Sequence, residues 1–253
     1  MGVRLKQFCL VAGLAGTLLL GSPALAADVA PATPVYKGPT AEPAFSWAGF
    51  YFGVQGGGIW GRSQQNGPLG DITNRFDLSG GLVGGEYGTN WQFGHWVLGT
   101  ESDSSWTTLK GTAPEVFNPT PGFTATTQEN YLAMSRVRIG YAQDRLLGYI
   151  TGGLADGYVE AISAGPAGSV SDTQFRLGWN AGAGVEWAFA SQWSAKVEYI
   201  HFDLGNASYL NTVPAPFLNR ANGVSLNGDL VRVGLNYHYD LPGLLLKTVF
   251  GSH

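Results

Sequence analysis

Residues 173–187 read TQFRLGWNAGAGVEW, with an apolar side chain at every second position from Phe175 to Trp187. The intervening positions carry Arg176, Asn180, Glu186 and glycines. A period of two is typical of a β-strand that has one apolar and one polar face. The stretch therefore predicts a strand, and the charges on its polar face are unusual for an ordinary protein core.

The same alternation recurs in seven further segments. They are Trp47–Gly61, Asp77–Trp91, His95–Leu109, Asn130–Tyr141, Leu147–Ala161, Trp193–Leu204 and Asp229–Tyr239. The segment from Leu147 alternates least cleanly, because Asp156 falls on its apolar side. Outside the N-terminus, no apolar run approaches the roughly 20 residues that a membrane-spanning helix requires. The pattern thus predicts eight strands and argues against a helical membrane protein.

The connections between these strands alternate in length. Short connections are predicted at 92–94, 143–145 and 189–192, and long polar ones at 62–75, 110–129, 162–172 and 205–228. Tight turns at one end and long loops at the other are typical of outer-membrane barrels, in which the tight turns are periplasmic. We therefore predict an all-β fold, namely an eight-stranded antiparallel up-and-down transmembrane β-barrel.

The polar face decides between a soluble and a membrane barrel, because only the membrane barrel turns its apolar face outward to lipid. Five acidic and five basic residues occupy the polar face: Glu86, Glu101, Asp103, Glu186, Glu198, Arg136, Arg138, Arg176, Lys196 and Arg232. Ions inside a small barrel are costly unless they are paired, so this balance indicates an internal salt-bridge network. A lumen filled by side chains predicts a barrel without a wide pore.

Aromatic residues of the apolar face lie toward the strand ends, as expected for the girdles at the two membrane interfaces. They are Trp47, Trp60, Trp91, Trp96, Trp187, Trp193, Tyr237 and Tyr239. The alternative is a secreted β-sandwich with an aromatic core. A sandwich would not line its other face with balanced charge, so the membrane barrel is favoured.

The N-terminus predicts export. Arg4 and Lys6 form a basic end, Phe8–Leu20 an apolar core and Ala24–Ala26 a cleavage site, which together are typical of a signal peptide. A single N-terminal anchor helix is the alternative, and the glycines within the apolar core disfavour it. The predicted organisation is a signal peptide at 1–26, a proline-rich periplasmic linker at 27–46, the barrel at 47–239 and a periplasmic tail at 240–253.

Composition excludes several kinds of chemistry. The one cysteine among the 253 residues, Cys9, lies in the predicted signal peptide, so no disulfide or thiolate metal site is expected in the mature chain. Without Arg4 and Lys6 the chain has 12 basic and 18 acidic residues, a net charge of about −6, and no basic run that would favour nucleic acid.

No catalytic, cofactor-binding or metal site is predicted. The four histidines His95, His201, His238 and His253 fall on different strands or ends without metal-ligand spacing. A lipid hydrolase that uses His201 near the extracellular rim is the best enzyme alternative, but the sequence identifies neither a nucleophilic serine nor an orienting acid for it. Glu101 and Asp103 are interpreted as salt-bridge partners of the internal arginines. We therefore do not expect an enzyme.

Several motifs, in order along nearly the whole mature chain, resemble the porin-like outer-membrane β-barrel family of alphaproteobacteria, the small surface-antigen barrels. They are Trp47–Tyr51, Gly84–Gly88 with Asn90–Gln92, Glu101 with Asp103, Gly152–Ala155 and Val233–Tyr237. The resemblance implies that Arg232, Gly234, Tyr237 and Tyr239 form the signal read by the barrel-assembly machinery. In the family pattern that strand usually closes the chain, whereas here Asp240–His253 follow it.

The sequence thus predicts a structural or surface-exposed protein of the outer membrane. Its expected partners are outer-membrane lipid, the barrel-assembly machinery during insertion, and host or phage molecules that contact the long loops. A narrow channel or a loop-mediated binder of a small ligand is the alternative, and a soluble periplasmic binder is a third hypothesis.

Overall fold

The computed structural model describes residues 45–67, 70–116, 122–166, 168–209 and 223–239. The predicted signal peptide, the predicted tail and all of the predicted linker except residues 45 and 46 lie outside these ranges. None of the described segments forms a helix long and apolar enough to cross a membrane.

The strands form one antiparallel sheet that closes on itself. In chain order they are β1 (Gly49–Gly67), β2 (Gly70–Asp71), β3 (Phe76–Phe93), β4 (Trp96–Pro114), β5 (Thr124–Gln143), β6 (Leu146–Gly165), β7 (Gly168–Trp187), β8 (Trp193–Ala207) and β9 (Gly223–Tyr239). The two-residue β2 only extends a hairpin at the end of β1. The eight long strands of the described chain confirm the predicted up-and-down barrel.

Closure comes from the pairing of the first and last strands. Strand β9 runs antiparallel to β1 from Phe50↔Tyr239 to Asn66↔Gly223, while each other long strand pairs with its neighbours in sequence. A closed sheet leaves no row of unpaired backbone amide and carbonyl groups along an edge. This property allows a sheet to lie in hydrocarbon, where unpaired backbone groups have no water to bind.

One end of the barrel, here termed the turn end, carries the tight turns and the start of β1 and end of β9. The short connections predicted at 92–94, 143–145 and 189–192 are found there at 94–95, 144–145 and 188–192. Gly94 and Asp144 adopt positive φ values of 63° and 52°, the left-handed conformation that glycine and, less readily, aspartate adopt in tight turns.

At the opposite end, the loop end, the strands are longer than the sequence predicted. The predicted long loop at 162–172 is wrong, because β6 and β7 continue to pair as far as Gly165↔Gly168. The polar and small residues there suggested a loop, but strands that extend beyond the apolar zone need no apolar side chains to keep their backbone pairing. The predicted loops at 62–75, 110–129 and 205–228 are likewise shortened by the extended strands, and residues 210–222 lie outside the described ranges.

The two faces of the sheet follow the predicted alternation. Side chains such as Val54, Ile150 and Leu177 point outward and are more than 60% exposed. The alternating positions point into the barrel and are buried. An outward surface of exposed aliphatic residues is what a lipid environment stabilises and water does not.

The interior contains an ionic layer, which the sequence predicts, and an apolar layer, which was not predicted. Charged side chains fill the half nearer the turn end. The half nearer the loop end contains a layer of buried apolar side chains, among them Ile59, Leu78, Leu109, Leu132 and Phe202. Buried polar side chains such as Ser63, Thr127 and Glu129 lie in the same half. The prediction of a polar interior is therefore incomplete for the loop-end half, where apolar and polar side chains are both buried.

Candidate functional site

Nine charged side chains meet inside the turn-end half of the barrel, and we term them the ionic cluster. Each of the nine residues is at most 4% exposed. They are Glu86, Glu101, Asp103, Arg136, Arg138, Glu186, Lys196, Glu198 and Arg232. The period of two brings them together, since each occupies an inward position of β3, β4, β5, β7, β8 or β9.

Strand register places opposite charges side by side in this cluster. Glu101 lies directly across from Arg136, Glu186 from Lys196, and Glu198 from Arg232. Opposite charges in such cross-strand positions are mutually stabilising.

Glu101 is at the centre of the ionic cluster. Its carboxylate accepts hydrogen bonds from Arg136 and from the Lys196 ammonium, whose Nζ lies 3.0 Å from both Oε1 and Oε2. The hydroxyl of Tyr51 donates a further hydrogen bond of 2.7 Å to Oε2. Lys196 also reaches Glu86, with its Nζ 2.6 Å from Oε2 of that residue. Several donors thus surround the buried Glu101 carboxylate, as a buried ion requires. Glu86 has the Lys196 ammonium beside it, and its two carboxylate oxygens accept no hydrogen bond from the described residues.

A second group of contacts links Arg136 and Arg232 through shared carboxylates. Asp103 Oδ1 lies 2.9 Å from Arg136 Nη2, and Asp103 Oδ2 lies 3.1 Å from Arg232 Nη1. Glu198 Oε2 lies 2.7 Å from Arg232 Nη2, and the Tyr149 hydroxyl donates to Glu198 Oε1 over 3.0 Å. The cations and carboxylates therefore form one connected network rather than separate pairs.

Arg138 and Glu186 form the part of the network nearest the turn end. Arg138 Nη1 lies 3.0 Å from Glu186 Oε2, and its Nε donates to Asn90 Oδ1 over 2.9 Å. The guanidinium carbon lies 4.6 Å from the ring centre of Tyr51 and 5.2 Å from that of Tyr149. Aromatic rings on both sides favour a cation at this position and restrict its side-chain conformations.

Glycines on the inner face leave room for the long charged side chains. A Cβ atom added to Gly184 would lie 2.6 Å from the Tyr149 hydroxyl oxygen and 2.8 Å from Glu198 Cγ. These distances are too short for any side chain, so the absence of a Cβ at this position allows the network to close.

Arg176 does not belong to the ionic cluster, contrary to the sequence prediction. Its guanidinium donates hydrogen bonds to the backbone carbonyls of Leu204, Gly205 and Val224, and it lies over the ring of Tyr209. Arg176 lies ten residues from Glu186 on β7, which corresponds to roughly 30 Å along the strand, so it cannot reach the cluster.

Without Arg176, the cluster contains five carboxylates and four cations, whereas five cations were predicted. His238 lies at the edge of the cluster, with its Nε2 atom 3.5 Å from Glu186 Oε1 and 2.8 Å from Ser194 Oγ. Sequence reasoning did not assign His238 to this site. His238 lies in the same set of alternate positions as Arg232 and Asn236 on the last strand, so the alternation of the strand places it on the inner face.

The turn end is covered by residues that precede β1. Trp47 is fully buried against Val97, Leu147 and Tyr149, and Phe45 packs on it with ring centres 4.9 Å apart. The indole nitrogen of Trp47 donates to the Asp144 carbonyl over 3.3 Å. The prediction that Trp47 belongs to an outer aromatic girdle is therefore wrong, because the chain turns inward before the first strand begins.

The other aromatic residues of the predicted girdles lie on the outer face. Trp91, Trp96, Trp187 and Trp193 are exposed near the turn end, and Trp60 is exposed toward the loop end. Trp106, Tyr158, Trp179 and Tyr199 are exposed outward as well. Two bands of outward aromatic residues are typical of a barrel that spans a bilayer.

The residues of the predicted assembly signal all lie on β9. Arg232 points inward, and a Cβ on Gly234 would lie 3.1 Å from the side chain of Lys196. Tyr237 packs on the outer face against Phe52 and Trp193, with ring centres 5.6 and 5.1 Å away, and Tyr239 is exposed. Strand β9 thus carries Arg232 of the ionic cluster on its inner face and girdle aromatics on its outer face.

His201 faces outward and is held by an acid that sequence reasoning did not identify. Its Nδ1 atom lies 2.9 Å from Asp229 Oδ1, which also accepts a 2.5 Å hydrogen bond from the Tyr199 hydroxyl. The strand register predicts this contact, since His201 and Asp229 are direct cross-strand partners. In the described parts of the chain, no group of three or more His, Cys, Asp or Glu residues is arranged to hold a metal ion.

Comparison with known proteins gives consistent matches across the chain. A family model described as an outer membrane protein beta-barrel domain matches residues 12–239. The 31 kDa outer-membrane immunogenic protein of Brucella melitensis biotype 1 is 35% identical over 243 residues, which cover 87% of this chain and 95% of the relative.

Two further relatives are more distant. The 25 kDa outer-membrane immunogenic protein of Brucella abortus biovar 1 is 27% identical over 238 residues, covering 93% of this chain and 99% of the relative. The 22 kDa outer membrane protein of Rhizobium leguminosarum bv. viciae is 29% identical over 168 residues, covering 66% of this chain and 69% of the relative.

Proposed function

This chain belongs to the outer membrane protein beta-barrel domain family, and we propose that it is a structural, surface-exposed barrel that forms no wide pore. The protein is located in the outer membrane, as its family membership implies. The turn end is then periplasmic and the loop end extracellular, as in other outer-membrane barrels.

One observation carries the proposal, namely that buried side chains occupy both halves of the interior. The ionic cluster occupies the turn-end half, and the loop-end half contains a layer of apolar residues such as Leu226, Leu230 and Phe202 together with buried polar side chains. A hydrated ion that crossed the barrel would have to break the ion pairs and then enter an apolar layer without its water. Both steps are costly, so the arrangement favours a mechanical role over passive diffusion.

Planar-bilayer conductance tests this proposal. The purified mature protein should give no steady open-state current, whereas a general porin reconstituted in the same way gives one. A steady current from the folded protein would contradict the proposal and favour the alternative of a narrow channel.

We further propose that the loop end contacts antibodies, host molecules or phage. The long strands support this idea, because the β6–β7 hairpin carries its pairing as far as Gly165↔Gly168. The Brucella relatives are themselves described as immunogenic. An epitope tag inserted after Pro166 should be labelled on intact cells, and the same tag after Asp144 should not. Equal labelling of the two insertions would contradict the proposed orientation.

Neither catalysis nor a cofactor is part of the proposed function. His201 has an acid partner in Asp229, but Tyr199 shares that acid, and none of the hydrogen bonds described for His201 joins it to a serine. Incubation with outer-membrane lipid should therefore leave the lipid masses unchanged. Released fatty acid, lost again in His201→Ala, would contradict this view.

The two terminal regions and the last strand are proposed to serve export and membrane insertion. We propose that residues 1–26 are removed on export, that residues 27–46 and 240–253 lie in the periplasm, and that the barrel-assembly machinery reads Arg232, Gly234, Tyr237 and Tyr239. The continuous pairing of β9 with both β1 and β8 supports a role for this strand in closure.

A further inference from the structure

A polar cleft of about 340 Å³ lies on the outer face of the barrel toward the loop end. It spans β1, β3, β8 and β9, which run side by side there. The residues that shape it are Trp60, Arg62, Arg75, Asp77, His201 and Asp229. Charged groups on a face that is otherwise aliphatic and aromatic need an explanation, because the acyl chains of a bilayer disfavour them.

The height of the cleft along the barrel supplies that explanation. Trp60 belongs to the outward aromatic residues near the loop end, which mark the interface between acyl chains and headgroups. Arg62 follows Trp60 by two residues on the same face, so it lies roughly 7 Å further along the strand toward the loop end. The charged side chains of the cleft therefore lie at the level of the lipid headgroups.

The two arginines of the cleft, Arg62 and Arg75, keep exposed guanidinium groups. Arg62 uses its Nε atom for an ion pair with Asp77 Oδ1 at 3.4 Å, and its side chain remains 65% exposed. Arg75 is exposed beside this pair. The contact of His201 Nδ1 with Asp229 directs the other ring nitrogen, Nε2, away from that acid.

We propose that this cleft binds the phosphate monoester of a lipid headgroup in the outer leaflet. Arg62 and Arg75 contact the phosphate, Asp77 holds Arg62 in position, and Trp60 packs beside the lipid. Asp229 orients the His201 ring at the edge of the cleft. The guanidinium group suits this ligand because its planar fork matches two phosphate oxygens at once. A lipid is favoured over a free phosphate because the cleft opens sideways on the lipid-facing surface, next to an exposed indole.

Lipid binding to the folded protein in detergent tests this proposal, with native mass spectrometry as the readout. The probes are diphosphorylated lipid A, fully dephosphorylated lipid A and inorganic phosphate. The variants are Arg62→Gln, Arg75→Gln and the double variant. Arg145→Gln is the matched control, because it removes one arginine at the opposite end of the barrel. Heat-modifiable gel migration verifies that each variant is folded.

The wild type should bind diphosphorylated lipid A at least about tenfold more tightly than the dephosphorylated form, as charge-assisted hydrogen bonds to phosphate predict. The double variant should lose this preference, and Arg145→Gln should retain it. Equal binding of the two lipids by the wild type, or a preference that survives in the double variant, would overturn the proposal. Displacement of the lipid by an equal concentration of inorganic phosphate would overturn the assignment to a lipid headgroup.

Discussion

Replacement of Arg136 by leucine tests the energetic role of the ionic cluster. Arg136 is buried and contacts three carboxylates, those of Glu101, Asp103 and Glu198. Leucine fills part of the same space without a charge, so the substitution leaves five carboxylates with three cations in the interior. Loss of one partner from a buried ion pair typically costs 3–5 kcal/mol, because the remaining charge is buried without compensation.

We expect the lower part of that range, about 3 kcal/mol, because each carboxylate keeps another partner. Glu101 keeps the Lys196 ammonium at 3.0 Å, and Asp103 and Glu198 keep Arg232 at 3.1 and 2.7 Å. The matched control is Arg62→Leu, which removes an arginine from an exposed pair with Asp77 and should cost less than about 1 kcal/mol.

The assay is reversible urea unfolding in lipid vesicles, monitored by tryptophan fluorescence and by heat-modifiable gel migration. A free energy of unfolding for Arg136→Leu within about 1 kcal/mol of the wild type would refute the reasoning. The Glu101→Leu variant completes a double-mutant cycle. Strongly coupled neighbours give interaction energies of about 0.5–3 kcal/mol, so additive effects of the two substitutions would also refute it.

Three further predictions concern packing. Phe202→Ala should lower the free energy of unfolding by about 3–5 kcal/mol, since it opens a cavity in the apolar layer, and urea unfolding measures this. Gly184→Ala should destabilise the barrel, because the added Cβ would collide with Tyr149. Gly148→Ala is the control and should leave stability unchanged, because a Cβ there meets no atom within 4 Å. Equal stabilities of the two variants would contradict this prediction. Trp47→Ala should lower the free energy of unfolding by about 3–5 kcal/mol and increase the access of water-soluble quenchers to the turn end. Unchanged quencher access would contradict the role of Trp47 as a cover.

The fold was predictable from the sequence because its main signal is local. Alternation in stretches such as 173–187 identifies each strand and its two faces, and the tight turns at 92–94 and 143–145 follow from their short spacing. The loop-end boundaries were not predictable in the same way. Beyond the membrane the outward side chains no longer need to be apolar, so the alternation fades while the backbone pairing between β6 and β7 continues.

The ionic cluster was predictable as a set of inward residues but not as an arrangement. Parity alone grouped Arg176 with Glu186, although they lie far apart along one strand. Counting residues from the tight turns would have separated them, since antiparallel register places Glu186 beside Lys196 and places Arg176 among the residues near Leu204.

The apolar layer was missed for a related reason. Ile200, Phe202 and Leu204 share the inward parity of Lys196 and Glu198 on β8, so the change from polar to apolar along one face was present in the sequence. The charged positions of this face indicate a polar interior, but the apolar positions that continue it toward the loop end indicate an apolar layer. The inward position of Trp47 is different in kind, because it depends on contacts with distant turns, such as that of Asp144, that no local pattern reveals.

Val185 and Val233 face acyl chains in this barrel, while Leu226 and Leu230 face the interior. Nuclear Overhauser spectroscopy of methyl-labelled protein in lipid nanodiscs tests it without any substitution. This arrangement predicts cross-peaks from the acyl-chain protons to the methyl groups of Val185 and Val233, which are 51% and 59% exposed, and none to those of Leu226 and Leu230, which are fully buried. Cross-peaks from lipid to the two leucines, with water cross-peaks at the two valines, would contradict it.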